Sequence, residues 1–170
     1  ALNGQKYVKK ETRDKVLAAA AELNFKPNLN AMSLRSNKSK VLGLIAEDLG
    51  NPYAAAVIKG VVKKAKQYKY DLIICECDWS HQQVVQSLDI LLQRNVDGII
   101  FTTPMDLKPD VRQKLTYIQK TNVPLVLILN GQVTIPFNSV QTDDIGGFRM
   151  GLDHLMSLGH TRIAYIAGFK

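Results

Sequence analysis

The side chains best suited to bind a ligand stand where predicted strands end. Acidic, amide, hydroxyl and aromatic residues, among them Tyr53 and Trp79, follow five apolar runs, at 47–53, 78–79, 102–104, 130–131 and 142–144. Carboxylates and amides hydrogen-bond neutral hydroxyls or base edges, and aromatic faces stack on sugar rings or planar heterocycles. Because ligands bind at the carboxyl ends of strands in open α/β sheets, these residues predict a site for a small polar ligand. The alternative is that residues such as Asp48, Asn51 and Asp143 only cap helices and close turns.

No catalytic signature accompanies these residues. The sequence has no P-loop, no G-x-G-x-x-G after its first predicted strand, no G-x-S-x-G and no H-E-x-x-H. His81, His154 and His160 are scattered, and His160 follows a glycine at a helix end, where contact with the last carbonyls is more typical than metal ligation. Cys75 and Cys77 face one side of a strand, where a bridge would be strained. We expect buried or half-buried reduced thiols, no metal, no cofactor and no enzymatic activity.

Alternating strands and helices must position the strand-end residues. From Val41 onward, short apolar runs alternate with amphipathic stretches of helical length. Strands are predicted at 40–48, 71–78, 97–104, 123–131, 138–143 and 162–168, and helices at 51–70, 81–96, 110–122 and 146–159. This alternation predicts an α/β fold, in which a parallel sheet wound right-handed carries flanking helices.

The first forty residues differ from the rest in charge and in pattern. They hold nine basic and three acidic residues, so they supply +6 of the formal net charge of +7. A helix is predicted within 8–28, with an apolar face (Val16, Leu17, Ala20 and Leu23) that needs a packing partner. A second helix, at 28–36, is too short to be stable without a partner. The charge favours a polyanion-binding module joined to a nearly neutral body, with a solvated charged helix as the alternative.

The totals are those of a globular protein. The 170 residues are 46% apolar and 22% charged, which allows one domain with a proper core and a smaller appendage. No apolar run approaches the ~20 residues of a membrane span, and the first residues lack the apolar stretch of a signal peptide. We therefore expect a cytoplasmic location without membrane contact.

Several stretches together resemble one protein family. "NLNAMSLRSNKSKVLGLIAEDLGNPYAAAVIKG" follows the pattern P-N-x-x-A-x-S-L, then I-G-L-I, then N-P-F/Y, and it is preceded by "ALNGQKYVKKETRDKVLAAAAELNFKPN". "NVDGIIF", "VPLVLILN" and "HLMSLGHTRIAYIAG" match three further family stretches. The chain is thereby identified as similar, over its whole length, to the LacI/GalR family of bacterial transcriptional regulators.

This resemblance implies a domain order. Residues 1–26 would be the remnant of an all-α helix-turn-helix headpiece, and 27–40 the hinge helix and linker. Residues 41–141 would be the N-terminal subdomain of a periplasmic-binding-protein-like effector core, and 142–170 the start of its C-terminal subdomain. The start of the headpiece and most of the second subdomain would then lie outside the sequence.

The resemblance also implies residues that bind DNA. In the family, two hinge helices order on DNA and pair in the minor groove, and a leucine from each wedges between base steps. Leu34 occupies that position, although without the resemblance it would be assigned a core contact. Met32 departs from the arginine common in the family. The expected DNA-binding residues are Asn3, Tyr7, Lys9, Arg13, Asn28, Ala31 and Leu34.

The effector site follows by position in the same way, and its expected residues are Tyr53, Ala54, Asp78, Thr102, Asn130 and Asp143. The function implied is a regulator, most simply a repressor, that binds operator DNA as a homodimer and responds to a sugar or related metabolite. The helices at 54–69 and 82–94 would meet in the dimer through residues such as Val57, Val61, Val84 and Leu88, unless core packing accounts for them.

Two other functions compete with this one. A periplasmic sugar-binding protein shares the core fold, but a basic helix and hinge precede the first strand where an export signal is expected. A flavodoxin-like α/β enzyme would need a catalytic constellation, and none is found in the sequence.

Overall fold

The structure, a computed structural model, describes residues 9–25, 38–103, 107–129 and 134–166. The chain divides into two compact units, Ala1–Ser39 and Lys40–Lys170. In the first unit the described residues hold one helix, α1 (Lys10–Glu22). The predicted hinge helix at 28–36 lies outside the described residues.

The second unit is built on a parallel sheet. Its strands are β1 (Val41–Ala46), β2 (Asp71–Glu76), β3 (Gly98–Thr103), β4 (Leu125–Leu129) and β5 (Ser139–Gln141). Their order across the sheet is β2-β1-β3-β4-β5, and every neighbouring pair is parallel. The predicted α/β class is confirmed, as is its parallel sheet.

Four helices connect the strands or follow them. They are α2 (Pro52–Gln67), α3 (His81–Gln93), α4 (Pro109–Gln119) and α5 (Asp144–Ser157). The step from β1 to β2 runs in the opposite direction from the steps β2 to β3 and β3 to β4. Because parallel crossovers are right-handed, α2 covers one face of the sheet and α3 and α4 cover the other.

The core fills the space between the sheet and its helices. Ile45, Phe101 and Leu127 come from the three central strands and are almost completely buried. Val84 and Leu88 of α3 lie in the same cluster, so core packing accounts for these two residues of the suggested dimer contacts. A β-carbon on Gly43 would lie 2.5 Å from a methyl of Leu91, which shows how closely β1 and α3 approach.

A residue in the left-handed backbone conformation follows each described helix except α4. At α5, Gly159 has φ of 86°, and the amide of His160 donates to the Leu155 carbonyl at 3.2 Å. At α2, Lys69 has φ of 59°, and the amide of Tyr70 donates to the Ala65 carbonyl at 2.9 Å. Both ends are Schellman motifs, which satisfy carbonyls that the helix leaves unpaired. In the second unit the predicted helices extend up to three residues beyond their observed ends, because such caps and turns follow them.

One prediction about packing is wrong for the described residues. A strand was predicted at 162–168, but 161–166 form none, and Ile166 is 94% exposed. A strand needs a neighbour, and no described strand pairs with this stretch. The apolar face of α1, for which a packing partner is expected, is largely uncovered among the described residues, since Leu17 and Leu23 are 43% and 78% exposed. The described part of the first unit offers α1 no second element to pack against.

Candidate functional site

A hollow opens at the carboxyl ends of the central strands, where α2 begins. The loop after β1, the first turns of α2, the turn after β2 and the ends of β3 and β4 contribute to it. Its described lining residues are Glu47, Asp48, Asn51, Tyr53, Ala54, Val57, Trp79, Thr102 and Ile128. The hollow therefore lies where the crossover direction reverses, between β1 and β3, as is typical of ligand sites in open α/β sheets.

The structure brings together only part of the predicted effector set. Tyr53, Ala54 and Thr102 line the hollow. Asp78 stands beside a lining residue, Trp79, without lining the hollow itself, and Asn130 lies outside the described residues. Asp143 is not among the lining residues, and its carboxylate accepts from the Gly146 amide at 3.0 Å as the N-cap of α5. Asp143 therefore caps a helix, which was the alternative to ligand binding considered for it.

Hydrogen bonds to side chains shape the loop from 47 to 53. The Asp48 carboxylate accepts from the Gly50 amide at 2.7 Å, and Glu76 accepts from the Leu49 amide at 2.8 Å. The Asn51 side chain accepts from the Tyr53 amide at 2.9 Å and caps α2, which has Pro52 in its first turn. Because Asp48 and Asn51 also line the hollow, capping and lining are not exclusive here.

Glu47 is the ionisable group whose surroundings in the hollow are most unusual. It follows the buried end of β1, and burial raises the pKa of its carboxyl from 4.5 to about 7. Near neutral pH this carboxyl is therefore present in both forms, so it can donate a hydrogen bond as well as accept one. The sequence predicted a polar strand end here but did not single out Glu47. Glu47 could have been singled out because it directly follows the apolar run of β1, whose last four residues are buried.

Trp79 reaches the hollow from a strained turn. Asp78 and Trp79 have φ of 41° and 58°, and the Ser80 amide closes the turn by donating to the Cys77 carbonyl at 2.8 Å. A bulky residue rarely adopts this conformation, because it costs energy and persists only where the surroundings enforce it. The indole is 57% exposed, and Tyr53 is 45% exposed, so two aromatic side chains remain available to a ligand. The resemblance, carried over residue by residue, did not select Trp79.

Thr102 has a structural partner as well as a lining position. Its hydroxyl donates to the Ile45 carbonyl at 3.2 Å, which ties the end of β3 to the end of β1. The hydroxyl oxygen can still accept a bond from a ligand. Among the lining residues that the structure describes there are two acids and no lysine, arginine or histidine. The hollow is thus rich in acceptors and suits a ligand with several hydroxyl donors.

Two of the predicted DNA-binding residues lie within the described part of the chain. Lys9 precedes α1 and Arg13 lies in its first turn; both are exposed, and they are four residues apart. That spacing places them on one side of the helix start. The other five, Asn3, Tyr7, Asn28, Ala31 and Leu34, lie outside the described residues.

In the part of the chain that the structure describes, the remaining reactive side chains do not form a second site. Cys77 is buried and Cys75 half-buried, both are free, and the predicted burial is confirmed. The Cys77 sulfur lies 3.5 Å from the Ser87 hydroxyl, and burial raises the pKa of its thiol. Within the described ranges, no three His, Cys, Asp or Glu residues are placed to hold a metal ion. No helix there is both long and apolar enough to span a bilayer.

Comparison with known families gives two matches in tandem. Residues 1–28 match the family described as bacterial regulatory proteins, lacI family. Residues 39–169 match the family described as periplasmic binding proteins and sugar binding domain of the LacI family. The second match begins at residue 39, which is the last residue of the first compact unit.

Individual proteins are similar over nearly the whole chain. The HTH-type transcriptional regulator DegA of Bacillus subtilis (strain 168) is 30% identical over 98% of this chain and 49% of its own length. The ribose operon repressor of Halalkalibacterium halodurans is 32% identical over 99% of this chain and 49% of its own. The chain therefore spans about half the length of the curated relatives it matches.

A solved structure shows the same arrangement of elements. It is the lac repressor dimer bound to operator and the anti-inducer ONPF, with 28% identity and a TM-score of 0.81. The match covers 96% of this chain and 48% of that one. The periplasmic-binding-protein-like fold expected from the sequence is thereby confirmed.

Proposed function

Because the chain belongs to the LacI family of bacterial regulatory proteins, we propose that it acts as a dimeric transcriptional repressor whose operator affinity is switched by a small-molecule effector. The observation that supports this most directly is the tandem order of the two family matches on one chain, a regulatory-protein segment at 1–28 and a sugar-binding core at 39–169. Such a protein acts in the cytoplasm, where its operator is.

The proposed effector is a neutral, hydroxyl-rich molecule such as a sugar. The acceptors of Glu47, Asp48 and Asn51 can bind hydroxyl groups, while Tyr53 and Trp79 offer faces for a sugar ring. Two acids without a basic residue in the described lining disfavour a phosphorylated ligand, because like charges repel. Of the effector residues expected from the resemblance, Tyr53, Ala54 and Thr102 have the support of lining this hollow, while Asp78, Asn130 and Asp143 rest on position alone.

DNA binding is proposed for the N-terminal segment. Asn3, Tyr7, Lys9 and Arg13 would contact the sugar-phosphate backbone, which positions a protein on the duplex without reading its sequence. Asn28, Ala31 and Leu34 would form the minor-groove hinge. The match of residues 1–28 to a regulatory-protein family supports this assignment and weighs against a periplasmic sugar-binding protein, the second candidate.

The test asks whether a sugar effector changes the affinity of the protein for operator DNA. A duplex selected from a random-sequence library by the full-length protein serves as operator in a fluorescence anisotropy titration, with and without neutral pentoses and hexoses. We expect one sugar to change operator affinity by about 5- to 150-fold, which corresponds to a coupling of about 1–3 kcal/mol.

The same sugar should alter the emission of Trp79, the only tryptophan in the chain. Failure of the protein to select any duplex would contradict the regulator function. A sugar that binds without changing operator affinity would contradict the switch.

A further inference from the structure

The chain enters the sheet through a residue in an unusual backbone conformation. Lys40 directly precedes β1 and has φ of 59°, in the left-handed region. A residue other than glycine adopts this region rarely and keeps it only where its surroundings enforce it. Lys40 is also the first residue of the second compact unit, and the regulatory-protein match lies in the first. The segment proposed to bind DNA is therefore attached to the core at a strained residue.

The two strands that flank β1 in the sheet hold Lys40 from both sides. On the β3 side, its amide donates to the Asp97 carboxylate at 3.1 Å, and Asp97 directly precedes β3. On the β2 side, its carbonyl accepts from the amide of Asp71, the first residue of β2, at 2.9 Å. Its ammonium lies 4.5 Å from the centre of the Tyr70 ring. The amide, the carbonyl and the side chain of Lys40 are thus each restrained by a different partner.

These contacts contribute little to the core. Lys40 is exposed, Asp97 and Tyr70 are half-buried, and none of the three belongs to the core cluster. What the contacts determine is the backbone conformation of Lys40. Glycine would adopt the same φ without strain, but it would adopt many other conformations as readily. A lysine held by three partners keeps one conformation at a position where glycine would leave the chain flexible.

The same strand joins Lys40 to the hollow. β1 runs from Val41 to Ala46, its last four residues are buried, and Glu47 of the hollow follows directly. Hydrogen-bonded neighbours on both sides hold the strand along most of its length. Lys40 and Glu47 thus stand at the two ends of one rigid strand. Free rotation at Lys40 would leave the attached segment independent of this strand, whereas a fixed joint keeps the two connected.

We propose that Asp97 is a positioning residue for operator binding: by holding Lys40 in one conformation, it fixes the start of the linker that leads to the DNA-binding segment. The inference rests on the proposed function, because the residues before Lys40 would bind the operator. Both protomers of the dimer must present this segment to one duplex. If Lys40 samples several conformations, operator affinity falls in proportion to the fraction of protomers that are ready to bind, and this factor applies once for each protomer.

The first experiment compares Asp97→Ala with Asp97→Asn in the full-length protein. Both variants remove the same negative charge, but the asparagine oxygen can still accept from the Lys40 amide. We expect Asp97→Ala to bind the library-selected duplex about two- to tenfold more weakly than Asp97→Asn in anisotropy titrations, because one hydrogen bond is lost. Loss of an acid by itself would strengthen DNA binding, so charge cannot cause this weakening. Sugar affinity should be equal for the two variants.

A second pair of variants tests the backbone of Lys40 directly. Lys40→Gly and Lys40→Asn remove the same charge and the same ring contact, but asparagine tolerates the left-handed region while remaining more restricted than glycine. Because glycine adopts positive and negative φ about equally, Lys40→Gly should bind the duplex about two- to fourfold more weakly than Lys40→Asn.

Equal operator affinities within either pair would overturn the proposal. A parallel loss of sugar affinity in Asp97→Ala would also overturn it, because the substitution would then disturb the core rather than the joint. If Asp97→Ala does not fold, the two Lys40 variants decide alone. If the unsubstituted protein binds no duplex, the proposed function itself fails, and this inference fails with it.

Discussion

At the scale of single residues, Glu47 shows how a fold changes the chemistry of a side chain. A carboxyl at the end of a buried strand loses part of its hydration, and no cation among the described residues restores the stability of the charged form. Its pKa of about 7 is therefore the opposite of the usual shift for a paired carboxylate. Within the hollow this leaves an acid that can exchange a proton when a ligand binds.

Glu47 should make stability depend on pH. Because its pKa is raised in the folded protein, the folded state binds more protons than the unfolded state between about 4.5 and 7. Stability should therefore fall as pH rises through that window and should change no further from this source above it. The variant Glu47→Gln lacks the titration, so its stability relative to the unsubstituted protein should increase from pH 4.5 to 7. Urea unfolding at several pH values measures this difference, and a constant difference would refute the assignment.

The aromatic ring of Tyr53 is expected to contribute to sugar binding in the hollow. It lies in the first turn of α2, is held by the Asn51 cap and is 45% exposed. Loss of an aromatic contact worth about 0.5–1.5 kcal/mol predicts that Tyr53→Ala weakens binding of the active sugar by about three- to tenfold. Tyr117→Ala on α4 is the control, since Tyr117 is also exposed but lies away from the hollow. Calorimetric titration gives both affinities, and equal values for the two variants would remove Tyr53 from the site.

At the scale of elements, helix ends determine where the chain turns towards its next strand. Two helices of the second unit end with residues in the left-handed conformation that are not glycine, Lys69 after α2 and Asn95 after α3. Asparagine tolerates this conformation through its short polar side chain, but lysine gains nothing from it. The end of α2 therefore holds a small amount of conformational strain at Lys69.

Lys69→Gly should raise the free energy of unfolding by about 0.5–1 kcal/mol, because glycine adopts a positive φ without a steric cost. Lys66→Gly is the matched control with the same change in charge. It lies inside α2, where glycine costs about 1 kcal/mol relative to a good helix former. Urea unfolding of both variants without DNA checks the prediction, and destabilisation by Lys69→Gly would contradict the role of its φ.

At the scale of the whole molecule, the second unit has two ends with different chemistry. The carboxyl edge of the sheet carries acids and aromatic residues around the hollow, while the amino edge carries Lys40 and the adjoining lysines. In the proposed regulator, an effector bound in the hollow changes operator affinity. By linkage, operator DNA must then change effector affinity by the same factor.

The hinge helix is where such linkage would reach the DNA. Leu34→Ala should weaken operator binding by tenfold or more, because the variant loses the apolar wedge that stabilises bent duplex. Sugar affinity and the unfolding midpoint should stay the same, since the role expected for Leu34 is on DNA alone. Leu34→Met, which keeps an apolar side chain of similar volume, should retain most of the affinity. Equal operator binding by all three proteins would leave Leu34 without a role on DNA.

The sequence alone determined the α/β class, the parallel sheet and the approximate position of each element from 41 to 157. These properties follow from local patterns, namely apolar runs, amphipathic spacing and turn residues, which lie close together along the chain. The strand predicted at 162–168 was wrong because a strand depends on a neighbour that the local pattern does not contain. The position of the hollow was predictable because the carboxyl ends of parallel strands lie at one edge of the sheet. Tyr53, in the loop and helix start after β1, and Thr102, at the end of β3, both line it.

Only the tertiary structure decided which polar residues share the hollow. Asp143 and Asp48 are both acids after a strand, yet one caps α5 outside the hollow and the other lines it. The raised pKa of Glu47 and the left-handed turn at Trp79 arise from burial and from chain direction, which sequence spacing does not specify. The meeting of Lys40 with Tyr70 likewise depends on the path of α2 across the sheet. Such properties depend on long-range contacts, whose partners are set by the packing of the whole core.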